Sequence, residues 1–173
     1  MCGIAGIFSP TLSQSQDYLS QTVRSMAFAI RHRGPDDAGA WADGSTGLAL
    51  GHARLAILDL SAAGHQPMAS ASDRYVIAFN GEIYNHLALR AELEKPRANA
   101  PGHDGPEPLA TDARPAWRGH SDTETLLAAI ERWGLEQALR KCVGMFALAL
   151  WDRNLGHLIL ARDRFGEKPL YYG

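Results

Sequence analysis

The 173-residue chain has only two cysteines, no apolar run of membrane length and no surplus of one charge, and each shortage removes a class of function. Seventeen basic residues stand against 19 acidic ones, a formal net charge of -2, so no global field recruits nucleic acid or an anionic membrane. The longest apolar stretch, Met145 to Trp151, has the length of a strand, against the roughly 18 residues of a membrane helix. MCGIAGIF at the start lacks a basic region followed by a long apolar segment and a cleavage site, which points to the cytoplasm. A reducing compartment leaves the two thiols to be read separately. None of the 7 histidines shows a ligand spacing with Cys or acids, which argues against zinc, and no GKS or GKT phosphate loop indicates ATP chemistry.

With 46% hydrophobic residues the chain suffices for one substantial core, read as a single domain over 2–173. Residues 2–8 read as a buried strand that closes on Ser9-Pro10, with Cys2 at its tip. Apolar positions near helical spacing predict a helix from about Gln14 to Arg31, stopped by Gly34-Pro35. Short strands are predicted at 39–41, 47–52 and 55–58, and another at 75–79 that stops in a positive-φ turn at Asn80-Gly81. Helices are predicted at 86–94, 121–133 and 135–141, the second with a capping box from Ser121 to Glu124, and a hairpin of strands at 145–151 and 157–161. Five prolines between Lys95 and Arg118 predict a mobile surface loop. The pattern is that of an α+β layered domain with antiparallel sheets.

Cys142 lies in the apolar LRKCVGMFALALW, where a packed thiol is the plain reading. Cys2 is either a small packed residue or a nucleophile. A thiol with a reference pKa of about 8.5 needs a base, and removal of Met1 supplies one: an α-amine of reference pKa about 7.7 to 8.0, on the same residue. Arg54 offers a planar fork suited to a carboxylate, or a structural cation. Asp122 at a helix start is stabilised by the dipole there and is expected to stay ionised.

The stretches Met1-Cys2-Gly3-Ile4, RHRGPDD (31–37), GHARLAILD (51–59), GHQPM (64–68), FNGEIYNH (79–86), SDTE (121–124), GMFALALWD (144–152) and RDRFGEKPLYYG (162–173) occur in the order of a known family. Together they resemble the class II glutamine amidotransferase domains of the N-terminal nucleophile hydrolases, in the asparagine synthetase branch. The resemblance implies a four-layer αββα sandwich of antiparallel sheets, with Cys2 as the nucleophile that takes ammonia from L-glutamine. It implies that Asn80 and Gly81 form the oxyanion hole and that Arg54 pairs with the glutamine α-carboxylate. The backbone of Leu55, Ala56, Ile57 and Leu58 would line the pocket, and Asp122, helped by Gly81 or Glu82, would receive the α-ammonium.

No metal or cofactor is implied for this domain. ATP and Mg are expected only for a C-terminal synthetase domain beyond Gly173, the partner implied within a longer chain, and a homodimer is an assembly open to it. No nucleic acid or membrane partner is implied. Aspartate is the commonest acceptor of the ammonia, and a sugar or another carboxylate is the alternative. The competing reading is a binding module that is inactive while Met1 stays attached.

Overall fold

A computed structural model describes residues 2–11, 14–96 and 115–173. The chain is a mixed α/β domain with two antiparallel sheets and, among the described residues, four α-helices. Its elements run β1 (Gly3–Phe8), α1 (Gln16–Ala29), β2 (Asp37–Asp43), β3 (Leu48–Arg54), β4 (Met68–Ala69), β5 (Tyr75–Ile83), α2 (His86–Leu93), α3 (Asp122–Trp133), α4 (Leu135–Lys141), β6 (Gly144–Asp152) and β7 (His157–Arg162).

One sheet has the order β1-β3-β2 and the other β4-β5-β6-β7. Strand alternation decides what each face buries. Leu48 and Leu50 of β3 form one core with Val76 and Ala78 of β5 and Ala149 and Trp151 of β6. Ala49, the intervening residue of β3, packs instead with Leu19 and Val23 of α1. Ile77 and Phe79 of β5 pack with Leu126, Leu127 and Ile130 of α3. Burying each such large side chain stabilises the fold by about 1.5–3 kcal/mol. His52 lies in register with Leu48 and Leu50 on β3, and its ring reaches the Phe79 carbonyl oxygen of the other sheet.

Ser15 caps α1 by accepting the Tyr18 N–H, and Ser121 caps α3 by accepting the Glu124 N–H. The reciprocal arm of the expected capping box is absent. The Glu124 carboxylate instead accepts the N–H groups of Arg118 and Gly119 and pairs with Arg90, which ties the segment before α3 to α2. Trp117 adds to this tie, donating to Glu94 under the Arg90 guanidinium. The expected mobile loop, 95–118, falls largely on residues 97–114, outside the described residues.

Two expectations are corrected. Residues 55–58 are not a strand, and the first two amides are taken by side chains: Leu55 N–H faces the Cys2 sulfur and Ala56 N–H donates to Asp36. β5 does not turn at Asn80-Gly81 but pairs with β6 without a break to Ile83–Gly144. Gly81 answers to crowding, not to a positive φ: a Cβ there would stand 2.3 Å from the Met145 carbonyl oxygen. The two-residue β4, at Met68–Ala69, has no counterpart in the expected elements.

Candidate active site

β1 pairs with β3 as far as Gly3–Ala53, which sets Cys2 one step further along, beside Arg54. The Cys2 carbonyl oxygen accepts the Arg33 Nε–H at 3.0 Å. Its sulfur lies 3.4 Å from the Leu55 nitrogen, whose N–H points at it, and 3.6 Å from the Leu55 carbonyl oxygen. The half-buried thiol is thus held at the mouth of a cavity by the loop that leaves β3.

The far wall is an edge of β5. Phe79 donates its N–H to Gln66 Oε1 at 2.7 Å and Ile83 donates its own to Asp122 Oδ2 at 2.9 Å, both on the side away from β6. Gly81 lies midway, so by the two-residue period of a strand its N–H and C=O point the same way. β4 reaches only Val76 and Ile77, so among the described residues no strand covers Gly81 there. The buried Asn80 carboxamide lines the cavity and makes no hydrogen bond to another described residue. A side-chain amide and a backbone N–H are therefore both presented to the space that Cys2 faces.

Arg54 is buried, and its two terminal nitrogens donate to the carbonyl oxygens of Asp59 and Ser61. The chain is bent to reach it by Asp59, whose carboxylate accepts the Ser61 hydroxyl at 2.6 Å, the Ser61 N–H at 2.8 Å and the His120 N–H at 2.7 Å. The Ser61 hydroxyl, then the His120 N–H, bring the Asp59 carboxyl down to about 2. Terminal N–H groups left over from this brace give Arg54 a fixed, cationic edge along the cavity wall.

Asp122 opens α3 and lines the same cavity. Burial raises its carboxyl pKa, and the N–H groups of Ile83 and Thr123 act against that rise. The dipole-based expectation of an easily ionised acid is thus opposed by desolvation.

Cys2, Arg54, Leu55, Ile57, Leu58, Asn80, Gly81, Glu82 and Asp122 all line this one narrow cavity. Ala56 does not, since its amide turns outward to Asp36. Ile57 and Leu58 sit at the rim, 65% and 40% exposed. Asp59, Gly64, Gln66, Thr123, Met145 and Lys168 also line it and were not singled out from sequence. The motifs GHARLAILD, GHQPM, SDTE, GMFALALWD and RDRFGEKPLYYG contain all six, but nothing in a linear motif tells which member turns inward.

The glutamine amidotransferase domain model matches residues 1–173. The chain belongs to this family. Bacillus subtilis asparagine synthetase (glutamine-hydrolyzing) 1 is 41% identical over 173 residues, covering 99% of this chain and 24% of that protein. Asparagine synthetase (glutamine-hydrolyzing) 3 of the same organism is 38% identical over 176 residues, with 99% and 25% covered. Amidase chry2 of Gibberella zeae is 33% identical over 179 residues, with 99% and 24% covered. The amidotransferase domain thus spans about a quarter of the length of the curated relatives it matches. It is an enzyme domain of the glutamine amidotransferase type, homologous to the glutaminase part of asparagine synthetases.

Proposed function

We propose that this domain hydrolyses L-glutamine to glutamate and ammonia through a thioester on Cys2. The observation that carries the reading is the Leu55 N–H aimed at the Cys2 sulfur in a cavity that Asn80, Gly81, Arg54 and Asp122 share. After removal of Met1, the α-amine of Cys2 takes the thiol proton, directly or through one water. The sulfur attacks the side-chain amide carbon, and the oxyanion is received by the Asn80 carboxamide and the Gly81 N–H. One such donor is typically worth about 3 to 4 kcal/mol in the transition state. The α-ammonium returns its proton to the leaving nitrogen, ammonia departs, and water, deprotonated by the same amine, opens the γ-glutamyl thioester. Glutamine is held with its α-carboxylate on the outer edge of Arg54 and its α-ammonium between Asp122 and the Gly81 carbonyl, with Glu82 adding negative charge nearby.

Helix α1 packs against β1–β3, one core joins β3 to β5 and β6, and α3 packs against β5, contacts that support the four-layer αββα arrangement. In this reading the ammonia serves an ATP- and Mg-dependent synthetase domain of a longer cytoplasmic chain, which amidates aspartate as the names of the Bacillus relatives indicate for those proteins. Assay of glutamate release by the processed domain and by Cys2→Ala tests the proposal. Loss of release in the variant is expected, and undiminished release overturns it.

A further inference from the structure

β5 carries the two proposed oxyanion donors on a stretch that β4 does not reach, since β4 pairs only with Val76 and Ile77. Beyond Ile77 the cavity edge of β5 is held by side chains. Gln66 Oε1 accepts the Phe79 N–H at 2.7 Å. The Phe79 carbonyl can only accept, so the His52 ring nitrogen 2.9 Å away is Nε2–H, donating. Both groups of Phe79, the residue before Asn80, are therefore taken by buried side chains from different parts of the fold: His52 is 0% and Gln66 5% exposed.

The anchors of these two side chains give the contacts a direction. His52 sits on β3, opposite Ile4 of β1, the strand that carries Cys2 at its tip. Gln66 is fastened at its other end, its Nε2 donating to Thr123 Oγ1 at 3.3 Å beside Asp122. Asp122 in turn holds the Ile83 N–H. Gly81 is thus flanked, two residues away on each side, by amides that side chains hold in place. His52 also pays for its position, because its Nδ1 is buried without a partner among the described residues.

Resting on the glutaminase reading above, we propose that His52 and Gln66 are positioning residues for that reaction: together they clamp the two peptide groups that flank the Phe79 Cα, Gln66 the one before it and His52 the one that joins it to Asn80, and so aim the Asn80 carboxamide and the Gly81 N–H at the site of the oxyanion. They act through Phe79: His52 does not line the cavity, and Gln66, which does, has Oε1 committed to the Phe79 N–H and Nε2 to Thr123. The clamp replaces the strand that β4 is too short to supply and couples the sheet of the nucleophile to the sheet of the donors. A displacement of the donors by 1 Å costs on the order of 10²-fold in rate. Because the donors act on the tetrahedral intermediate more than on bound glutamine, the cost falls on kcat and not on KM.

The experiment compares glutamine hydrolysis by the processed protein, Cys2→Ala, His52→Leu and Gln66→Met with the conservative variants His52→Gln and Gln66→Glu. Each variant is checked for folding by circular dichroism. Expected is a fall in kcat of tenfold or more for the Leu and Met variants with KM within threefold, and recovery of most of kcat in His52→Gln, which keeps a donor, and Gln66→Glu, which keeps an acceptor. An aldehyde analogue of glutamine, which forms a tetrahedral adduct with a thiol, should lose affinity in proportion to kcat/KM. Where Gln66→Met does not fold, Gln66→Asn, one methylene shorter, withdraws the acceptor from Phe79 and takes its place. A folded Leu, Met or Asn variant with kcat within twofold of the parent, or a loss confined to KM, overturns the clamp. Turnover surviving in Cys2→Ala overturns the glutaminase reading instead, so the two failures are told apart.

Discussion

Gly64 leaves no room for a side chain beside Arg54: a Cβ at position 64 would stand 1.9 Å from Arg54 Nη2. The guanidinium cannot retreat, since its terminal nitrogens are bonded to the Asp59 and Ser61 carbonyls. Gly64→Ala therefore displaces the cationic edge that the proposed function assigns to the glutamine α-carboxylate. Loss of a charge-assisted hydrogen bond of about 1.5–3 kcal/mol corresponds to a KM for glutamine raised about 10- to 100-fold. Steady-state kinetics check this, and an unchanged KM in a folded Gly64→Ala would remove Arg54 from the substrate site.

The two cysteines are set apart by environment. Cys142 is 1% exposed and burial pushes its thiol up to about 11, whereas Cys2 lines the cavity. A glutamine analogue bearing a diazoketone should add a single mass increment, located by peptide mapping at Cys2. Modification at Cys142 would reverse the assignment.

These placements were legible in the sequence to different degrees, for physical reasons. The helix α1 follows from its helical spacing, and the strands β3 and β6 and the hairpin to β7 from short apolar runs bounded by turn residues. Asn80-Gly81 misled because the pair suits a positive-φ turn, while here Gly81 is required by the β6 backbone that passes 2.3 Å from its absent Cβ. Residues 55–58 look like a strand by composition, yet their hydrogen-bond partners are Cys2 and Asp36, which no local pattern announces. The motif resemblance joined Cys2, Arg54, Asn80 and Asp122 into one expected site. It could not show that Arg54 is braced by carbonyls, or that Gln66 and His52 meet at one residue, Phe79.

Asn80→Ala isolates the side-chain half of the proposed oxyanion hole. The carboxamide makes no hydrogen bond to another described residue, so its removal leaves no protein partner orphaned there and the fold should lose little stability. Removal of one oxyanion donor lowers kcat by about 10²- to 10³-fold, with KM little changed. A kcat within threefold of the parent would leave the Gly81 N–H as sole donor and refute a role for the side chain.

The buried His52 makes stability depend on pH in a window of its own. Burial, its largest perturbation, lowers the imidazole from 6.5 to about 4, aided by the Arg54 charge and opposed by the hydrogen bond to Phe79. Below pH 6.5 the unfolded chain takes up a proton that the folded chain refuses until about pH 4, so stability is complete above 6.5 and falls as pH drops between those values. The shift corresponds to at most about 3 kcal/mol. Asp59 and Asp163, held at about 2, add losses only below about 3.8, while the raised carboxyl of Asp122 acts with the opposite sign as pH approaches that value. The difference between the parent and His52→Gln cancels the three carboxyls and leaves the histidine alone. Urea unfolding of both proteins from pH 7.5 to 4 should show the parent losing stability more steeply below 6.5, and parallel curves would mean that His52 is not buried as a neutral ring.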